Sequence, residues 1–325
     1  MKRKLHLFLS FTFTFVCLHL AAQQTPQYSL YMLNQFGQNP AYAGLDNTLS
    51  ATGVYRTQWV GLAGAPVTQI VNAHMPLNVI SSGIGIQVEN DLIGASQRTA
   101  ASFAYSYQLE LNRSSRLSIG LSGGLVQQSL DGAKLRTPDG TYEPDQNIII
   151  HNDDFLPIGT VSAMLPSFSA GVFYQAEKLE MGLGVLNFQE STANFTDLSL
   201  KLRRSYYLSA SYTIELSRTL ILKPSVQVKS DIVQTQIEAS SLIRYKDNFF
   251  LGASYRGFTT ESQDALVALG GFKLNDKWTI GYAYDITLSA LKTASNGSHE
   301  ILLNYNFGKP IGEGVPPKII YNPRF

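Results

Sequence analysis

The chain has 325 residues, 25 Lys+Arg against 24 Asp+Glu, one Cys, and 15% charged residues, where soluble domains carry about 25%. Near-neutral balance leaves no electrostatic footprint for nucleic acid, and 44% hydrophobic residues with 17 Tyr and 17 Phe exclude a disordered tail protein. An ordered structure that water alone does not solvate is the expectation.

Residues 1–22 read as a secretory signal peptide. Lys2, Arg3 and Lys4 form a basic start, Leu5 to Leu20 is an apolar stretch short for a membrane span, and Ala21-Ala22 before Gln23 offers small residues at a cleavage point. Cys17 follows bulky Val16 inside the apolar stretch, which disfavours a lipoprotein, and cleavage removes this only cysteine together with three basic residues. The mature chain then has neither a disulfide nor a thiol nucleophile.

No helical membrane span follows. The longest stretch without Lys, Arg, Asp or Glu, Thr57 to Val88, is broken by Gln58, Pro66, Gln69, Asn72, His74 and Pro76. In a bilayer only the helix and the closed barrel satisfy every backbone group, so alternation decides. Leu117, Ile119 and Leu121 alternate with Ser118, Gly120 and Ser122, a period of two with one greasy face. The pattern recurs in Phe103 to Glu110, Leu179 to Val185, Tyr206 to Glu215, Trp278 to Asp285 and Ile301 to Phe307.

Turn residues cut the chain into about fourteen segments beginning near Ser50, Val67, Gly83, Arg98, Arg116, Pro166, Leu179, Arg204, Thr219, Thr235, Phe249, Ala265, Lys277 and Ser298. Tight connections, such as Asn112 to Ser115, Glu177-Lys178 and Lys246 to Asn248, alternate with longer ones, such as Asp131 to Leu165, Phe188 to Arg203 and Leu288 to Gly297. Outer-membrane barrels have short periplasmic turns and long extracellular loops, which puts both termini of an even-stranded barrel in the periplasm. A soluble β-sandwich explains alternation but neither this short-long order nor Tyr105, Tyr107, Tyr282 and Tyr284 on the greasy face near strand ends, where interfacial girdles belong. The reading is therefore an all-β transmembrane antiparallel barrel at 48–308. A periplasmic N-terminal segment at 23–47 precedes it, and a proline-rich tail at 309–325 in the periplasm follows.

Chemistry is sparse. Gly120-Leu121-Ser122-Gly123-Gly124 spells a nucleophile elbow but lies mid-strand, where the motif cannot work. His74, His151 and His299 are far apart and lack ligand spacing. No catalytic residue, metal site or cofactor is expected, and the chain is not expected to be an enzyme.

Five stretches resemble the PorP/SprF outer-membrane proteins of the type IX secretion system in Bacteroidetes. They are Gln27 to Met32, Asn39-Pro40-Ala41-Tyr42-Ala43-Gly44, Arg56 to Trp59 leading to Gly64-Ala65-Pro66, Pro166 to Phe168 with Gly171, and Gly297-Ser298-His299-Glu300-Ile301. The resemblance implies an integral outer-membrane barrel serving protein secretion, gliding motility or attachment of adhesins. It implies as partners other secretion components, including periplasmic peptidoglycan-binding proteins, and cargo with a C-terminal sorting domain, besides outer-membrane lipid.

Two further expectations come from the residues. Small inward side chains, among them Ser118, Gly120, Ser122, Gly182, Gly184 and Gly281, leave a lumen able to hold water, a plug or part of another protein. The aromatic density of the N-terminal segment marks Asn39 and Tyr42 as candidate partner-binding residues, either docking a partner or folding back as a lid. Asp153 and Asp154, in an acidic loop, are the other candidates. The alternative function, a solute diffusion or uptake channel, predicts a ring of opposed charges in the lumen and open conductance.

Overall fold

The computed structural model describes residues 25–143, 148–195, 198–258 and 263–308, so the signal peptide expected at 1–22 and the tail expected at 309–325 lie outside the described residues. Fourteen antiparallel strands close into one barrel. They are β1 Ser50–Thr57, β2 Val67–Leu77, β3 Ser82–Ile93, β4 Ser96–Asn112, β5 Ser115–Asp131, β6 Thr160–Ala176 and β7 Leu179–Leu186. The second half comprises β8 Ser205–Tyr212 continued by Ile214–Ser217, β9 Leu220–Ser230, β10 Thr235–Tyr245, β11 Phe249–Arg256, β12 Ala265–Lys273, β13 Trp278–Thr287 and β14 Ser298–Asn306. Each strand pairs with its sequence neighbours, and β1 pairs with β14, Ser50 opposite Asn306 and Thr57 opposite His299. Pairing of the first strand with the last closes the sheet, which is what hydrocarbon demands.

The period of two sets the faces. Leu121, Phe103, Leu183 and Ile301 are exposed on the outer wall, whereas Ser118, Ser106, Glu180 and Glu300 are buried on the inner one. Aromatic rings gather near the strand ends on the outside, with Trp278, Tyr305 and Phe307 in contact at one end and Tyr284 against His299 toward the other.

Strand starts fall where turn chemistry placed them, with one clear exception. Pro166 does not open β6; the strand begins six residues earlier at Thr160, paired with Asp131. The reason is tertiary. Within the connection that follows β7, Thr192–Phe195 pairs with Leu198–Lys201 in a hairpin, and Ala193 and Phe195 pack on Leu165, covering the inner face of the extended strand. The acidic loop is likewise not bare, since Thr141–Glu143 pairs with Ile148–Ile150.

Candidate functional site: a lumen filled by the chain's own N-terminal stretch

Thr25 to Leu49 lies inside the barrel. Of the two alternatives for the segment read as periplasmic, docking a partner or folding back as a lid, the structure has it folded back onto its own barrel, inside the lumen as a plug. The cause is visible on the inner wall, where Val54, Ile70, Leu242, Phe250, Val267, Leu269 and Leu302 point inward. Facing a water-filled bore they would be costly, since a buried side chain of this size contributes roughly 1.5–3 kcal/mol. Leu30, Tyr31, Met32 and Leu33 cover them in one dry cluster, and Phe36, Ala41, Tyr42, Ala43 and Leu45 form a second with Ala104 and Phe173.

The plug has almost no regular structure, only single 3-10 turns at Tyr31–Leu33, Gln35–Gly37 and Pro40–Tyr42, so its backbone groups need partners on the wall. Asn39 accepts from Ala41 N at 3.0 Å, capping the third turn, and its amide donates to Val172 O at 3.1 Å. Ser106 Oγ donates to Ala43 O at 2.8 Å, and Gly44 N donates to His74 Nδ1 at 3.1 Å. Tyr42 stacks edge-on against Phe173 with centroids 5.0 Å apart, and its hydroxyl donates to Asp46 at 2.5 Å. Arg116 donates to Leu45 O and to Asn47 Oδ1 where the plug turns into β1. At Gly83 and Gly120 the wall comes so close that a Cβ would overlap Ala43 O and Ala41 N, so the Asn-Pro-Ala-Tyr-Ala-Gly stretch fits only against a wall without side chains there.

A charged clamp holds the other end of the plug. Arg56 from β1 reaches Asp285 at 2.7 Å and Glu300 at 3.1 Å; Arg256 from β11 reaches Glu238 at 2.7 Å, Asp285 at 2.9 Å and Asp264 at 3.2 Å. Ser29 of the plug sits at its centre. Its Oγ accepts from Arg56 at 2.9 Å and Arg256 at 2.7 Å while donating to Asp285 at 2.7 Å, and Ser29 N and Leu30 N donate to Glu300 at 2.7 and 2.9 Å. Tyr28 Oη donates to Glu89 at 2.8 Å, and the Tyr31 hydroxyl pairs with those of Ser225 at 3.2 Å and Ser240 at 3.0 Å.

Plug and wall do not touch everywhere. Between the plug and β3 to β8 a small cleft remains, its lining rich in hydroxyl and amide groups such as Gln87, Ser102, Ser122, Ser167 and Asn187, with Tyr28 and Tyr207.

Of the four residues singled out in the sequence, Asn39 and Tyr42 come together deep in the lumen, 4% and 1% exposed, and face the barrel's own wall. Asp153 and Asp154 are exposed in the connection between β5 and β6. Arg56 and Glu300 lie in stretches that carry the family resemblance, yet neither they nor Glu238, Arg256, Asp285 and Arg116 were singled out as site residues. Their signal was a charge at an inward position of an alternating strand.

A barrel closed around its own plug, greasy outside and clamped by charge within, defines an integral outer-membrane protein. The profile of the family described as type IX secretion system membrane protein PorP/SprF matches residues 20–305, and the chain belongs to that family. No curated relative matches it. Among solved structures it is similar to the toluene transporter TbuX of Ralstonia pickettii, at 12% identity and TM-score 0.48 over 85% of this chain and 92% of that one. It is also similar to the outer membrane protein Omp33 of Acinetobacter baumannii, at 5% identity and TM-score 0.46 over 80% of this chain and 98% of that one.

Proposed function

We propose that this type IX secretion barrel works as a plugged scaffold, helping to secrete cargo proteins or to anchor them at the cell surface, including adhesins of gliding motility, and not as an enzyme. One observation carries the reading: the lumen is filled by residues 25–49, fixed by two apolar clusters and a buried clamp. The opposed charges that a solute channel would set around an open bore are here spent on each other and on Ser29. With its bore occupied, the barrel offers its rims as working surfaces. Asp153 and Asp154 are candidate contacts at the rim of the long connections. The partners that fit this role are other secretion components, including periplasmic peptidoglycan-binding proteins, and cargo with a C-terminal sorting domain.

Deleting the gene in its host and following such a cargo by cell fractionation tests the reading. Loss of the cargo from the cell surface, restored by the intact gene, is the expected result. An unchanged cargo distribution accompanied by impaired uptake of a small solute would favour the channel instead.

A further inference from the structure

The path of the plug carries a consequence for membrane topology. At one end Thr25 meets Tyr207 and Lys229: Tyr207 Oη donates to Thr25 Oγ1 at 3.0 Å, and Lys229 Nζ donates to Thr25 O and to Pro26 O. Tyr207 is the third residue of β8 and Lys229 the last but one of β9, so both lie where strands meet the connections 187–204 and 231–234. Four residues on, Ser29 touches Arg56, next to the end of β1, and Glu300, third in β14, still near that rim. Asn39 then bonds Val172, well along β6, and Ala43 bonds Ser106, past the middle of β4. Leu45 and Asn47 meet Arg116, second in β5, at the tight-turn end. The stretch thus runs the height of the barrel, from the rim of the long connections to the rim of the tight turns, where β1 begins.

Long connections face outward and tight turns face the periplasm in outer-membrane barrels. We infer that the chain is threaded through its own barrel, with Thr25 presented at the cell-surface mouth while Gly308, after β14, leaves at the periplasmic rim. The two ends of the folded protein are then offered to opposite compartments. This deepens the scaffold reading without depending on cargo, because it says which end a surface partner and which end a periplasmic partner can reach.

Single cysteines test the topology, because Cys17 lies in the segment expected to be cleaved. Thr25→Cys, Asp153→Cys in the acidic loop and Ser114→Cys in the tight turn between β4 and β5 are each treated, in intact cells, with a polyethylene-glycol maleimide too large for porins. Thr25→Cys and Asp153→Cys are expected to react in intact cells and Ser114→Cys only after the outer membrane is permeabilised. A short epitope placed directly before Thr25, detected by antibody on intact cells, gives the same answer without altering a plug contact. Thr25→Cys reacting only after permeabilisation, with the epitope equally hidden, would overturn the inference, as would a cysteine and an epitope that stay unreactive under both conditions. The labelling pattern is independent of cargo distribution, so failure here and failure of the scaffold reading are separable.

Discussion

Arg256→Ala is expected to lower the unfolding free energy of the barrel by about 3–5 kcal/mol, the usual cost of removing one partner from a buried charge set. Arg256 is fully buried and its guanidinium serves Glu238, Asp264, Asp285 and Ser29 at once. Truncation takes the guanidinium from Glu238, which keeps only the Gln27 amide at 3.4 Å, and from Asp264, and leaves Ser29 and Asp285 with Arg56 as their one remaining cation. Arg256→Lys keeps the charge but replaces a planar fork with a single ammonium that cannot span the same set, so it should lie between wild type and alanine. Heat-modifiable migration on gels, or thermal unfolding in detergent, reads the difference. An unchanged midpoint for Arg256→Ala would mean that the clamp contributes nothing to holding the plug.

Leu121→Arg and Ser122→Arg should differ sharply although the residues are adjacent. Leu121 is exposed on the outer wall, 62% accessible, while Ser122 lines the inner cleft. Leu121 is six residues from the start of β5 at the tight-turn rim. At about 3.3 Å per residue and a tilt near 40°, that places it roughly 15 Å above this rim, close to the middle of an apolar band about 25 Å tall. A guanidinium there costs about 2–4 kcal/mol, whereas at Ser122 it enters a polar space. Assembly yield and unfolding midpoint should fall for Leu121→Arg and stay near wild type for Ser122→Arg. Equal tolerance of the two would reverse the assignment of faces.

These two predictions also mark what the sequence could and could not disclose. Leu121 out and Ser122 in follow from alternation alone, because a period of two leaves no freedom once one face is in hydrocarbon. Turn chemistry likewise located most strands, failing at Pro166, where a residue that usually interrupts a strand is paired with Leu125 inside an extended one. The plug was harder. Residues 25–49 have no periodicity, so nothing local distinguishes a free segment from one inside a barrel; its aromatic density signalled burial but not against which surface. The clamp is less local still. Ser29 meets Arg256 and Glu300 across 227 and 271 residues of sequence, contacts that exist only after closure. What could be seen was a set of charges at inward positions, Arg56, Glu238, Asp285 and Glu300 among them, in a chain otherwise poor in charge. Sequence could not say whether they line an open bore or grip a plug.

That distinction is the centre of the account, and single-channel recording in planar bilayers measures it. The intact protein should show no steady open-pore conductance, while deletion of residues 25–47, in whatever fraction still closes, should open a bore that conducts. Steady porin-like conductance from the intact protein, unchanged by that deletion, would contradict a plugged barrel.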